Sequence, residues 1–100
     1  MNNVAKYDAG KLKPALVPTQ IIKDIAVVRE YGVLKYTDPE NWKNVDLNRY
    51  INAFYRHWLD FIKNPNSRDD ESGLPHYKHC ACNMAFICEL IAEEQCEVNE

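Results

Sequence analysis

An all-α domain, a small helical bundle, is what this sequence predicts, and three observations lead there. Apolar residues recur at three-and-four spacing in three separate stretches, no stretch alternates with the period of two that a strand needs, and 100 residues make one domain. A chain this short buries only about 60–65% of its unfolded surface. With 46% hydrophobic and 11% aromatic residues, apolar surface is left over. The core is therefore expected to be completed by homo-oligomerisation.

Residues 1–100 read as a single helical domain. Its first segment, Met1 to Val17, reads as a basic, extended arm carrying Lys6, Lys11 and Lys13. The arm has one glycine, Gly10, so it is not a Walker loop, which needs two glycines four residues apart and a Lys-Ser or Lys-Thr ending. Pro18 then suits the start of the first helix, along which Ile21, Ile22, Ile25, Val28 and Leu34 recur to about Tyr36. Gly32 interrupts the pattern and weakens a helix by about 1 kcal/mol relative to alanine, so a bend or a close approach is expected there. Thr37-Asp38-Pro39-Glu40-Asn41 form a turn ahead of Trp42.

The second helix has the clearest stripe: Asp46 suits its N-cap, and Leu47, Tyr50, Ile51, Phe54, Trp58, Phe61 and Ile62 keep helical spacing. Asn64-Pro65-Asn66-Ser67 ends it. An acidic loop follows, then a third helix with Pro75 in its first turn and Met84, Phe86, Ile87, Leu90 and Ile91 on its apolar side. Residues 93–100, with Glu93, Glu94, Glu97 and Glu100, read as a frayed acidic tail.

A net charge of −3 argues against a nucleic-acid binder, which needs a basic footprint for the phosphates. No membrane span or signal peptide is legible, so no membrane partner and a cytoplasmic location are expected, the host cytoplasm if a phage encodes the chain. Cys80, Cys82, Cys88 and Cys96 share one helix at spacings that cannot close a bridge within it. Reduced thiols are expected, with Cys80 and Cys88 as small core residues.

Chemistry concentrates in Asp70-Glu71-Ser72-Gly73-Leu74-Pro75-His76 and its continuation to His79 and Asn83. His76, His79 and Asn83 stand three and four residues apart and so lie within roughly a 60° arc of one helix. His57, beside the aromatic stripe of the second helix, reads instead as a hydrogen-bonded packing histidine.

Lys6-Tyr7-Asp8-Ala9-Gly10-Lys11 before Val17-Pro18, Tyr31-Gly32 with Lys35-Tyr36, Asn41-Trp42, Arg49-Tyr50, Arg56-His57, and Glu71-Ser72-Gly73-Leu74-Pro75-His76 with His79, Cys82 and Asn83 stand in this order along the chain. Together these blocks resemble a phage family, the dATP/dGTP diphosphohydrolases, related to the all-α MazG-type nucleoside triphosphate pyrophosphohydrolases. The last block is the most specific. The resemblance implies a MazG-like bundle that hydrolyses purine deoxynucleoside triphosphates to monophosphate and pyrophosphate with Mg²⁺ or Mn²⁺, controlling a phage nucleotide pool.

On that reading Asp70, Glu71 and Glu30 are the expected metal ligands, because hard cations take oxygen donors. His76, His79 and Glu71 are the expected catalytic groups, an imidazole ligating Mn²⁺, serving as base near its ordinary pKa of about 6.5, or hydrogen-bonding phosphate when protonated. Lys11, Lys35 and Arg56 would contact phosphates, Trp42 or Tyr36 would stack on the base, and Asn83 would complete the nucleotide pocket. MazG-type enzymes hold metal with paired helical ExxE and ExxD motifs, whereas here such spacing occurs only from Glu94 to Glu97 and from Glu97 to Glu100. The alternative is accordingly a non-catalytic oligomeric sponge that sequesters a nucleotide signal.

Overall fold

The computed structural model describes the backbone of residues 9–99 and the side chains of residues 9–96. Within them lie three helices: α1 (Gln20–Tyr36), α2 (Leu47–Lys63) and α3 (His76–Asn99). No strand forms among the described residues, so the chain is all-α as its periodicity predicts. The longest helix, α3, packs along both α1 and α2.

The helix ends follow local chemistry with small departures. Pro18 precedes the first helix rather than opening it; Thr19 is the N-cap, and the Ile22 amide donates to the Thr19 carbonyl at 3.0 Å. The arm is not wholly extended, since Pro14–Leu16 form one 3-10 turn around the conformationally preset proline. Residues 1–8, including the Lys6-Tyr7-Asp8 part of the first block, lie outside the described residues. Asp46 holds the N-cap position of α2, but its side chain makes no capping hydrogen bond. Thr37 closes α1 in the left-handed region at φ 64°, its amide bonded to the Val33 carbonyl at 2.7 Å. The acidic tail is helical as far as Asn99, with Glu93 and Glu94 exposed.

Only three apolar side chains are buried among the described residues: Val28, Cys80 and Cys82. Cys82 lies deepest, whereas Cys88 is exposed and not the core residue its position suggested. Burial pushes the Cys82 thiol up to about 11, so it stays protonated and inert. Cys80, Cys82 and Cys88 are free thiols. Across the α1–α3 contact, buried Asp24 accepts a hydrogen bond from Gln20 at 3.1 Å and faces the Lys78 ammonium at 3.5 Å.

Much apolar surface stays outside. Tyr55, Trp58, Leu59 and Ile62 form an exposed stripe on α2 at intervals of three, four and seven, and Tyr77, Met84 and Ile91 repeat every seven residues along α3. The radius of gyration, 16.9 Å, exceeds the roughly 13 Å of a compact domain of this length.

Candidate functional site

The loop between α2 and α3 is built by its own residues. Gly73 takes φ 73°, a conformation that strains any residue with a Cβ, and this lets the chain double back. The Asp69 amide then donates to the Leu74 carbonyl and the Gly73 amide to the Asp69 carbonyl, both at 2.8 Å, while Arg68 and Pro75 pair as an isolated antiparallel bridge. The Asp69 carboxylate sits inside the turn and accepts the amides of Glu71 and Ser72 at 3.1 and 2.8 Å. Burial alone would raise the Asp69 pKa, but the bonds from Ser72 outweigh it and the net shift is downward. Asp69 is thus a half-buried, fixed anion.

Three histidines meet this loop. His57 Nδ1 and His76 Nδ1 lie 2.8 Å apart, and the His57 ring stacks on His79 with centroids 4.3 Å apart and planes 8° from parallel. Ser72 Oγ accepts the Leu74 amide at 3.1 Å and is hydrogen-bonded to His79 Nε2 at 2.7 Å. His76 Nε2 faces the Asp60 carboxylate at 3.6 Å. Burial, reinforced by the neighbouring His79, lowers the His57 pKa to about 4. Burial likewise lowers that of His79. Both rings are neutral at pH 7 with lone pairs to offer.

Ligand atoms of His57, Asp69 and His76 all lie within 4.8 Å of one another. Two imidazoles and a carboxylate make a borderline donor set suited to transition ions, while Mg²⁺ prefers oxygen throughout. This is not the carboxylate trio expected from the sequence. Glu71 pairs with the Lys35 ammonium, and that cation, followed by Tyr31, lowers its pKa. Asp70 and Glu30 are exposed and do not line the cavity described next.

Beside the cluster opens a cavity of about 540 Å³, within the range of small-molecule sites. Four cations border it, Arg29, Lys35, Arg49 and Arg56, with aromatic rings from Tyr31, Tyr36, Trp42, Tyr50 and Phe86. Phe86 is the hub of the apolar wall: Trp42 stacks on it at 5.0 Å, Tyr50 leans on it at 4.8 Å, and the Arg29 guanidinium lies 5.3 Å from its centroid. Tyr50 donates to the Trp42 carbonyl at 2.7 Å, and burial pushes its pKa up to about 12. Glu71 raises the pKa of Lys35, which stays charged. Among the described residues Arg49 and Arg56 form no salt bridge.

Most residues singled out from sequence converge here. Lys35, Tyr36, Trp42, Arg56, Glu71, His79 and Asn83 line the cavity, Asn83 with its amide donated to the His79 carbonyl at 3.0 Å. His76 is buried and does not line the cavity, and neither does Lys11, which is exposed on the arm. Gly32 lines the cavity too, but nothing lies within 4 Å of where its Cβ would be. No close approach explains it, and its missing side chain leaves that part of the cavity open. Sequence reasoning gave no role to Asp69 or to Ser72 and missed the central place of His57. A weak signal existed for Asp69, an acid four residues before a glycine that needs positive φ, since such turns fold around an Asp side chain.

The comparisons with known proteins agree with the resemblance seen in the sequence. A family described as "dATP/dGTP diphosphohydrolase, N-terminal" matches residues 1–99. A dATP/dGTP diphosphohydrolase of Salmonella phage PMBT28 is 35% identical over 86 residues, 86% of this chain and 29% of that protein. The chain therefore spans less than a third of that relative. No solved structure matches. No described helix is long and apolar enough to cross a membrane.

Proposed function

The chain belongs to the dATP/dGTP diphosphohydrolase, N-terminal, family, and on that premise we propose that its cavity binds a purine deoxynucleoside triphosphate and that the site cleaves it to monophosphate and pyrophosphate. The observation that carries this reading is the cavity itself: four cations and five aromatic rings beside a histidine–aspartate cluster. A nucleotide needs both halves, cations for its phosphates and flat apolar faces for its base.

Arg49 and Arg56, with no salt bridge among the described residues, are the cations offered to phosphate, and Lys35 joins them when it leaves Glu71. Tyr36 and Trp42 offer ring faces to the base; Phe86 fixes the Trp42 ring from behind. A divalent ion, Mg²⁺ or Mn²⁺ in the usual form of this chemistry, would neutralise the triphosphate and polarise the α-phosphorus. His79, kept neutral by burial, would donate its Nε2–H to Ser72 Oγ and offer its Nδ1 lone pair as base to the attacking water. In a phage such an activity would control the host cell's nucleotide pool.

We further propose that the working unit is a homo-oligomer, because the α2 stripe of Tyr55, Trp58, Leu59 and Ile62 and the heptad-spaced Tyr77, Met84 and Ile91 leave apolar surface uncovered. Incubation of the protein with dGTP or dATP and Mn²⁺ tests the reaction. Release of pyrophosphate and monophosphate is expected. Saturable binding without pyrophosphate would overturn hydrolysis in favour of a sequestering protein, which the surplus of cations over carboxylates around the cavity would suit.

A further inference from the structure

We propose that His57, Asp69 and His76 form a binding site for one first-row transition-metal dication, of the Mn²⁺, Co²⁺ or Zn²⁺ kind. As the source of the ion for the hydrolysis above, the site rests on that reading; binding of the ion to the protein alone does not.

Four observations carry the proposal. The three ligand atoms, two nitrogens and one oxygen, lie within 4.8 Å of one another. Two ligands at right angles on an ion with bonds of about 2.0–2.1 Å stand about 3 Å apart. The two Nδ1 atoms of His57 and His76 are 2.8 Å apart, so both can turn to one ion with little movement. The second observation is a carboxylate behind one ligand: ligating histidines are ordinarily held by a carboxylate on the far ring nitrogen, and that of Asp60 faces His76 Nε2 at 3.6 Å.

The third observation is the anchoring of Asp69, whose carboxylate is fixed by two backbone amides of its own turn before any ion arrives. The fourth is placement. His57 comes from α2, Asp69 from the loop and His76 from the first turn of α3, so one ion would join three segments. His57 and Asp69 also line the cavity, which puts the ion at its edge within reach of a bound phosphate. Three protein ligands leave coordination positions open, the arrangement of catalytic rather than structural sites.

Chelator-stripped protein titrated with Co²⁺ tests the site through visible d–d absorption, followed by displacement with Zn²⁺. One equivalent per chain is expected, with a higher thermal midpoint, and His57→Ala and His76→Ala should each weaken binding at least about tenfold. Because either variant can lose folded structure, the unaltered chain labelled with ¹⁵N provides a second measurement, in which Zn²⁺ should shift the imidazole nitrogens of His57 and His76. Absence of d–d absorption, unshifted imidazoles, or a thiolate-to-cobalt charge-transfer band assigning the ion to cysteines would overturn the proposal. Co²⁺ binding without dGTP cleavage would overturn the reaction and keep the site; Mg²⁺-supported cleavage without Co²⁺ binding would do the reverse.

Discussion

Acid should unfold this protein through its histidines before its carboxylates, and His57 sets the size of the effect. In the folded chain burial holds its pKa near 4, with His79, His76 and Arg56 adding to the depression and Asp69 opposing it. Unfolded, the ring titrates near 6.5. Between those values the unfolded chain takes up a proton that the folded chain refuses, so stability rises with pH across that window. The contribution is present in full above about pH 6.5 and is lost as pH falls to about 4. The difference sets a ceiling of about 3 kcal/mol, and because solvent reaches the half-buried ring and screens its neighbours, about 1–2 kcal/mol is expected. Urea unfolding in chelator at pH 7 and pH 4.5 measures it, and the His57→Gln variant, which cannot titrate, should lose correspondingly less on acidification. Equal losses in the two proteins would refute the reasoning.

Other substitutions probe the turn, the cavity and the surface. Gly73→Ala places a Cβ at φ 73° with open space around it, so backbone strain alone should cost about 1–2 kcal/mol, read by urea unfolding. Gly32→Ala should stabilise α1 by roughly 0.5–1 kcal/mol, whereas Gly32→Leu should fill the cavity and weaken nucleotide binding while the chain stays folded; calorimetric titration distinguishes the two. Arg56→Ala should raise the nucleotide Kd about tenfold or more and flatten its dependence on salt, with little change in thermal midpoint. Light scattering should report an assembly larger than the 11.7 kDa chain, and Trp58→Glu in the exposed α2 stripe should shift it toward monomer.

The sequence by itself determined the three helices and the class of side chain that meets at their junction. Helical spacing is a local property: Tyr50, Ile51, Phe54 and Phe61 share one face of α2 whatever packs against it. The turn before α3 was equally local, since Gly73 and Pro75 limit the backbone on their own. Family blocks carried Lys35, Trp42, Arg56 and His79 into one reading, and the fold brings them to one cavity. What the tertiary structure decided was which neighbours those groups have. His57 stands 19 residues before His76, and only the packing of α2 on α3 sets their nitrogens 2.8 Å apart. Asp69, Asp70 and Glu71 are adjacent acids that periodicity cannot rank. Folding turns Asp69 inward onto backbone amides and pairs Glu71 with Lys35, while Asp70 stays exposed. The strength of a carboxylate as a ligand depends on burial and partners, which arise from contacts distant in sequence, and a chain read residue by residue holds no record of them.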